Sequence, residues 1–176
     1  MSAFFLVYNN KKRRDLVKGW LISNALFIFF VIFWSFWNRE YSSPAIVFGK
    51  TFAVIAVILF IINVNMYFIF LIIRKSKAKG VKKTLALFSR KMMKLHVPIA
   101  ITATAFICIH AIIMISFHPL EIFDIKKLTG ILAILVLSVH LFSGWLRRKK
   151  ASGFRRLFHL RMAFIFLTFF LVHIFL

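Results

Sequence analysis

Residues 95–117 read LHVPIAITATAFICIHAIIMISF, a run of 23 residues without a charged side chain. A helix that crosses a bilayer needs about 20 mostly apolar residues, so this run predicts a transmembrane helix. Comparable apolar runs lie on either side of it, over residues 19–37, 45–73, 128–146 and 157–176. We therefore predict an all-α integral membrane protein, a single domain over residues 1–176 that forms a bundle of five transmembrane helices.

The composition independently favours a membrane protein. Hydrophobic residues make up 62% of the 176 residues, phenylalanine alone contributes 24, and the mean hydropathy is +0.90. A soluble domain of this size could not bury so much apolar surface, which excludes a soluble enzyme, a disordered tail and a nucleic-acid-binding domain. The lipid bilayer is therefore the expected environment, and nucleic acid is not an expected partner.

The distribution of basic residues predicts the orientation. Of the 25 lysines and arginines, 21 lie in three segments that a five-span topology places on one side, residues 11–18, 74–94 and 147–161. By the positive-inside rule this side is cytoplasmic, so we expect a multi-pass plasma-membrane protein with its N-terminus in the cytoplasm and its C-terminus outside. The longest connection, residues 74–94, is expected to be a basic loop that could lie on the membrane surface as a short amphipathic helix.

Histidines inside the spans are the strongest candidates for a functional site, because ionisable residues in a bilayer are costly. His96 and His110 are fourteen residues apart on the third span, and His159 and His173 are fourteen apart on the fifth. Fourteen helical residues turn by about 1400° and rise about 21 Å, so each pair lies on one helix face at two depths. Both spans start at the cytoplasmic side. This predicts an inner pair, His96 with His159, and an outer pair, His110 with His173.

Two opposed neutral imidazoles are a standard ligand set for a six-coordinate haem iron. The two pairs therefore predict two b-type haems, since the chain has no CxxCH motif for covalent haem attachment. Haem propionates need cationic partners, and the candidates near the inner haem are Lys94, Arg155, Arg156 and Arg161. The candidates near the outer haem are Lys126, Lys127, Lys50 and Arg39.

Three further residues leave alternatives open. His140, on the fourth span near its inner end, could orient the inner haem, form part of a proton path, serve as an alternative ligand or be an ordinary packing residue. Phe166 lies midway between His159 and His173 and could separate the haems or simply pack against neighbours. His118 precedes Pro119 in the outer loop and is expected to be solvated.

Two stretches of this chain resemble the ferric reductase-like transmembrane domain family. They are TGILAILVLSVHLFSGWLRRKKASGFRRLFHLRMAFIFLTFFLVHIFL at the C-terminal end and RKMMKLHVPIAITATAFICIHAIIMI before it, which together fall within residues 90–176. The family includes NADPH oxidases, metalloreductases and the haem subunit of a bacterial periplasmic methionine sulfoxide reductase. The resemblance implies b-type haems between the third and fifth spans, with His96, His110, His159 and His173 as axial ligands. It also implies electron flow from a cytoplasmic flavin or from quinol to an acceptor outside.

The chain differs from the large members of that family in ways that bear on the electron donor. It has five predicted spans where many relatives have six, and no GxGxxG motif or C-terminal FAD or NAD(P)H domain follows. The expected donor is therefore a separate flavoprotein, a bound FMN or FAD, or the quinone pool. The expected acceptor is an extracytoplasmic protein or a small molecule.

Three functions remain open from the sequence. The first is a di-haem b-type cytochrome that serves as the membrane component of an oxidoreductase. The second is a cytochrome b anchor subunit of a quinone-linked dehydrogenase, a class that commonly spreads its ligands over more helices. The third is a non-redox protein that binds a metal or transports a solute, although the spans contain no Asp or Glu.

Overall fold

The computed structural model describes residues 19, 22–34, 37, 43–76, 79–117 and 124–176, and these residues form helices without any strand. The helices are α1 (Ile22–Trp34), α2 (Pro44–Lys75), α3 (Lys79–Phe117), α4 (Ile125–Lys149) and α5 (Gly153–Phe175). The all-α class is therefore confirmed for the described part of the chain.

Four of these helices, α2 to α5, are long and apolar enough to cross a membrane. Their cores coincide with the predicted spans 45–73, 95–117, 128–146 and 157–176. α1 is a shorter apolar helix, and residues 19 and 37 at the ends of the predicted first span are also helical. Large side chains on the long helices are widely exposed, for example Ile101 at 63% and Ile112 at 64%, as expected for a surface that contacts lipid.

Polar residues fix where three of the helices begin. The Ser43 hydroxyl accepts a hydrogen bond from the backbone N–H of Ile46 at the start of α2, and Pro44 occupies the first turn, where its missing N–H costs nothing. Asp124 caps α4 through the N–H groups of Lys126 and Lys127. Ser152 caps α5 through the N–H of Arg155.

The connection predicted as a loop over residues 74–94 is largely helical, because α3 already begins at Lys79. This segment is the first part of the same helix that contains the third span. The prediction of a separate surface helix is therefore wrong for these residues. The physical reason is that residues 81–97 contain no glycine or proline and are mostly Leu, Ala, Lys, Arg and Met, which are strong helix formers. Charge marks the edge of the hydrocarbon but does not end a helix.

The chain divides into two compact units, Met1–Phe117 and His118–Leu176. In the first, α2 packs against α3 and a side-chain hydrogen bond of 2.9 Å joins Asn65 of α2 to Asn24 of α1. In the second, α4 and α5 form an antiparallel hairpin joined by residues 150–152.

Candidate functional site

His110 is held by the backbone of the neighbouring helix. Its Nδ1 lies 3.0 Å from the carbonyl oxygen of Gly49 on α2. A carbonyl can only accept a hydrogen bond, so Nδ1 carries the proton and the lone pair of the neutral ring is on Nε2. A Cβ atom at Gly49 would lie 2.7 Å from Cε of Met114 and 3.0 Å from Cγ2 of Ile113. The glycine therefore allows the close approach of α2 and α3 beside the His110 contact.

His173 has the same kind of partner in the second unit. Its Nδ1 lies 2.9 Å from the carbonyl oxygen of Lys126 in the first turn of α4, an oxygen that also accepts from the Thr129 hydroxyl. Gly130 lies one turn further along α4, and a Cβ there would be 2.9 Å from Cε1 of His173. The absence of a side chain at Gly130 therefore leaves room for the ring to reach the Lys126 carbonyl.

The protonation of His159 follows from a chain of two hydrogen bonds. The Ser143 hydroxyl donates to the carbonyl oxygen of His140 at 2.6 Å, and its oxygen lies 2.9 Å from Nδ1 of His159. A hydroxyl has one proton, which is used toward His140, so Nδ1 of His159 must be the donor in the second bond. Ser143 is only 1% exposed. His159 thus has the same tautomer as His110 and His173, with the lone pair on Nε2.

His140 contacts His159 directly. The two imidazole rings stack with centroids 4.4 Å apart and an interplanar angle of 10°. Two charged imidazoles at this distance would repel strongly in a low-dielectric environment, so the arrangement favours a neutral pair. The His140 ring, by stacking, and its carbonyl, through Ser143, both contact the surroundings of His159.

His96 is attached to α2 through its backbone. Its carbonyl oxygen accepts a hydrogen bond of 3.1 Å from the Asn63 side-chain amide. The ring is half-buried and its Nδ1 atom is fully buried. Two residues later Pro98 lies inside α3, where it cannot donate to the carbonyl of Lys94. Asn63 therefore supports α3 at a point where its hydrogen-bond ladder is incomplete.

The cations predicted to meet propionates have varied surroundings. Arg155 donates to the carbonyl oxygens of Leu146 and Lys150, at 2.8 and 3.3 Å, and so caps the C-terminal end of α4. Lys127 forms a 3.5 Å ion pair with Asp124. Hydrogen bonds from the backbone N–H groups of Lys127 and Lys126 lower the pKa of the Asp124 carboxyl. The remaining described candidates on α3 to α5 are exposed, namely Lys94, Lys126, Arg156 and Arg161.

Phe166 is buried at 3% exposure and stacks with Phe170, at a centroid distance of 6.0 Å. Lys50 is half-buried on α2. His118 and Arg39 lie outside the described residues.

Five residues that hold the histidines were not identified from the sequence: Asn63, Gly49, Gly130, Ser143 and Gly144. A Cβ on Gly144 would lie 3.2 Å from Cε1 of His159. Glycines and an asparagine inside apolar runs could have pointed to four of the five, because each is unfavourable there unless a neighbour needs the space or the hydrogen bond, whereas Ser143 has no such signal.

Within the described residues no three His, Cys, Asp or Glu side chains come together as a metal-ion site. The chain matches no known family model, no curated protein sequence and no solved structure.

Proposed function

We propose that this protein is a di-haem b-type cytochrome, the membrane subunit of a reductase. It carries electrons from a flavin, a flavoprotein or quinol on the cytoplasmic side to an acceptor on the outer face. The observation that carries this proposal is shared by His110, His159 and His173. In each, Nδ1 donates to a fixed acceptor and the lone pair is on Nε2, at the opposite edge of the ring.

This arrangement fits an axial haem ligand. Histidines that bind metals commonly donate the other ring N–H to a carbonyl or a similar acceptor, which fixes the tautomer, orients the ring and raises the basicity of the ligand nitrogen. A histidine that served only to join two helices would need just the Nδ1 bond. That bond alone fixes the tautomer, so the support for a ligand role comes from its recurrence at three of the four histidines with the predicted spacing, and from the glycines that leave room beside the rings of His159 and His173.

The ligand assignment combines this chemistry with the sequence spacing. His96 and His159 would hold the inner haem, and His110 and His173 the outer haem. When bound, haem supplies a one-electron ferric/ferrous couple within the apolar layer. The chain's own contribution is to hold the imidazoles of His110, His159 and His173 in one neutral tautomer, since a charged imidazolium in hydrocarbon is strongly disfavoured. Ser143 and the carbonyls of Gly49 and Lys126 accept hydrogen bonds from Nδ1 of His159, His110 and His173, so the lone pair of each neutral ring is on Nε2, the atom that would bind iron.

The direction of electron flow rests on the basic residues and on the resemblance to ferric reductase-like domains. The three basic segments define the cytoplasmic side under the positive-inside rule. A cytoplasmic donor with negative charge would be attracted to this side. Lys94, Arg155 and Arg161 are the candidates for inner propionates, and Lys126 and Lys127 for outer ones.

The test is a haem count on the detergent-purified protein expressed with adequate haem supply. A dithionite-reduced minus oxidised spectrum, with a pyridine haemochrome assay, should give a b-type signal and two haems per chain. One haem would contradict the two-site assignment. A folded protein without haem would overturn the proposed function.

Four single variants test the pairing. His96→Ala and His159→Ala should remove one and the same haem, and His110→Ala and His173→Ala should remove the other, as judged by redox titration. Thr168→Ala is the matched control, because Thr168 lies on α5 between the two histidines and its hydroxyl bonds only to the carbonyl of Phe164 in the same helix. A variant of either pair that removed both haems without unfolding would refute the assignment.

A further inference from the structure

A single peptide group lies between the carboxylate of Asp124 and the ring of His173. Its N–H belongs to Lys127 and donates to Oδ1 of Asp124 at 3.3 Å. Its carbonyl belongs to Lys126, and the oxygen lies 2.9 Å from Nδ1 of His173. The N–H and C=O of a peptide group are conjugated and coplanar, and in the trans form they point in opposite directions. The carboxylate and the imidazole therefore bond to opposite ends of one conjugated group, an arrangement that we call the Asp124–His173 link.

The two carboxylate oxygens of Asp124 have different partners. Oδ1 accepts from the backbone N–H groups of Lys126, at 2.9 Å, and Lys127, whereas Oδ2 lies 3.5 Å from the Lys127 ammonium. The first N–H groups of a helix have no partner within the helix, and its N-terminal end favours negative charge. The Lys127 N–H bond is the main cause that lowers the pKa of the Asp124 carboxyl. The group is therefore ionised at neutral pH.

An ionised acceptor polarises the peptide group that it binds. Hydrogen bonds to a charged group are roughly twice as strong as those between neutral groups, and successive bonds in a chain strengthen one another. Negative charge at the N–H end of the 126–127 peptide increases the electron density on its carbonyl oxygen. This oxygen then draws the Nδ1 proton of His173 more strongly, which raises the basicity of Nε2 at the opposite edge of the ring.

The acceptors of the other two histidines are uncharged. They are the carbonyl of Gly49 and the hydroxyl of Ser143. Asp124 has the only carboxylate side chain among the described residues. Within that part of the chain, a charged second partner is therefore available to His173 and not to the other two.

We propose that Asp124 is a positioning residue for His173 that acts through the peptide group between Lys126 and Lys127. This inference rests on the proposed function in one respect, since Nε2 of His173 is the atom that would bind the outer haem iron. Hydrogen bonding around an axial ligand is one of the means by which a protein sets a haem potential. A more basic ligand nitrogen favours ferric over ferrous iron, so Asp124 makes the outer haem the stronger reductant of an acceptor outside.

The variant Asp124→Asn separates this role from simple helix capping. Asparagine is as good an N-cap residue as aspartate, because its side-chain oxygen accepts the same backbone hydrogen bonds. The variant should therefore keep the start of α4 and remove only the charge. Capping alone predicts no change at His173, whereas the Asp124–His173 link predicts a weaker Nδ1 bond.

The first measurement is made on the haem-free full chain in detergent micelles, with circular dichroism as the check of helix content. The ring nitrogens of histidine are labelled with ¹⁵N and read by NMR through the carbon-bound ring protons. The His173 signals are identified by their absence from His173→Ala. We expect Asp124→Asn to move the Nδ1 resonance of His173 upfield, as a weaker hydrogen bond does, and to leave the other histidines unchanged.

The matched control is Ser152→Ala. Ser152 caps α5 through the N–H of Arg155, so the variant removes a helix cap and leaves the Asp124–His173 link in place. It should not change the His173 resonance. An equal shift in Ser152→Ala and Asp124→Asn would show a general effect of altered helix ends and would overturn the inference.

A double variant separates the link from the direct field of the charge. The Asp124 side chain is 36% exposed, so water screens its direct field at His173. Asp124→Asn/Lys127→Gln removes both members of the ion pair and restores the net charge of this helix end. The shift of the His173 resonance should persist, because the ionised acceptor of the peptide N–H is still missing. Its return to the wild-type value would show that only the net charge matters and would overturn the link.

The haem-loaded protein gives the second readout. At an unchanged haem count, Asp124→Asn should favour the ferrous state of one haem at least threefold, which is a rise of about 28 mV for a one-electron couple. An unchanged resonance, or an unchanged potential in a protein with two haems, overturns the link and leaves the proposed function standing. A shifted resonance in a protein that never binds haem overturns the proposed function and leaves the link between Asp124 and His173 standing.

Discussion

The side-chain oxygen of Ser143 lies 2.9 Å from Nδ1 of His159, and it must accept a hydrogen bond there because its own hydrogen is donated to the carbonyl of His140. A single buried hydroxyl on α4 therefore determines which nitrogen of a histidine on α5 carries the lone pair. The stacked ring of His140 limits the rotation of the same imidazole.

Ser143→Ala should weaken haem binding at the site that uses His159. The variant leaves the Nδ1 proton of His159 without its acceptor, and loss of such a partner typically costs 10–100-fold in metal affinity. Haem titration of the purified apoprotein measures the effect. Ser138→Ala is the control, since Ser138 is exposed on the same helix and bonds to the carbonyl of Ile134. Equal affinity of the two variants would show that Ser143 has no influence on the ligand.

Gly130→Ala should disturb His173 more than Gly144→Ala disturbs His159. A new Cβ would lie 2.9 Å from Cε1 of His173 but 3.2 Å from Cε1 of His159, so it forces a larger movement of the His173 ring away from the Lys126 carbonyl than of the His159 ring away from Ser143. We expect Gly130→Ala to lower outer-haem occupancy severalfold and Gly144→Ala to shift the inner-haem spectrum only slightly. Gly153→Ala is the control, because no atom lies within 4 Å of a Cβ at that position. The reverse order of effects would contradict this geometry.

The sequence predicted the spans well because hydrocarbon thickness acts directly on composition. The cores of α2 to α5 could be located from long apolar runs that contain at most one charged residue each, Lys50 in α2 and Arg161 in α5. The start of α3 at Lys79 could not, since the same lysines that mark the edge of the hydrocarbon also favour helix. Hydropathy therefore locates where a helix enters lipid, and helix propensity determines where it begins.

The histidines could be identified from their spacing, but their partners could not. Two of the three acceptors are backbone carbonyls, of Gly49 and Lys126, and every residue has such a group. What makes these two accessible is a local lack of side-chain bulk, together with a helix register that only the packed structure fixes. Nothing in the sequence distinguishes Ser143 from the other serines, because its role depends on its contact with His159 on the neighbouring helix.

The C-terminus should lie outside the cytoplasm. By the positive-inside rule, the three segments 11–18, 74–94 and 147–161, which contain 21 lysines and arginines, are cytoplasmic. Leu176 is then on the other side of the membrane. A phosphatase fused after Leu176, which is active only when exported, should be active, and a fusion after Lys150 should be inactive. The opposite pattern would invert the direction of electron flow proposed for this protein.

Gly49→Ala should destabilise the pairing of α2 with α3. Its Cβ would lie 2.7 Å from Cε of Met114 and 3.0 Å from Cγ2 of Ile113. Such overpacking typically costs about 1–3 kcal/mol.

The Met114 contact is with the end of a flexible side chain, which can move, whereas the Ile113 contact is with a β-branched side chain that is stiff at χ1. Adding Met114→Ala should therefore recover only part of the lost stability, and Ile113→Ala should recover more. Denaturation in mixed micelles, followed by helical circular dichroism, measures the free energy of unfolding for each double variant against its own Gly49 parent. Full recovery by Met114→Ala would show that the methionine methyl is the whole obstacle and that the backbones of α2 and α3 are not in limiting contact beside His110.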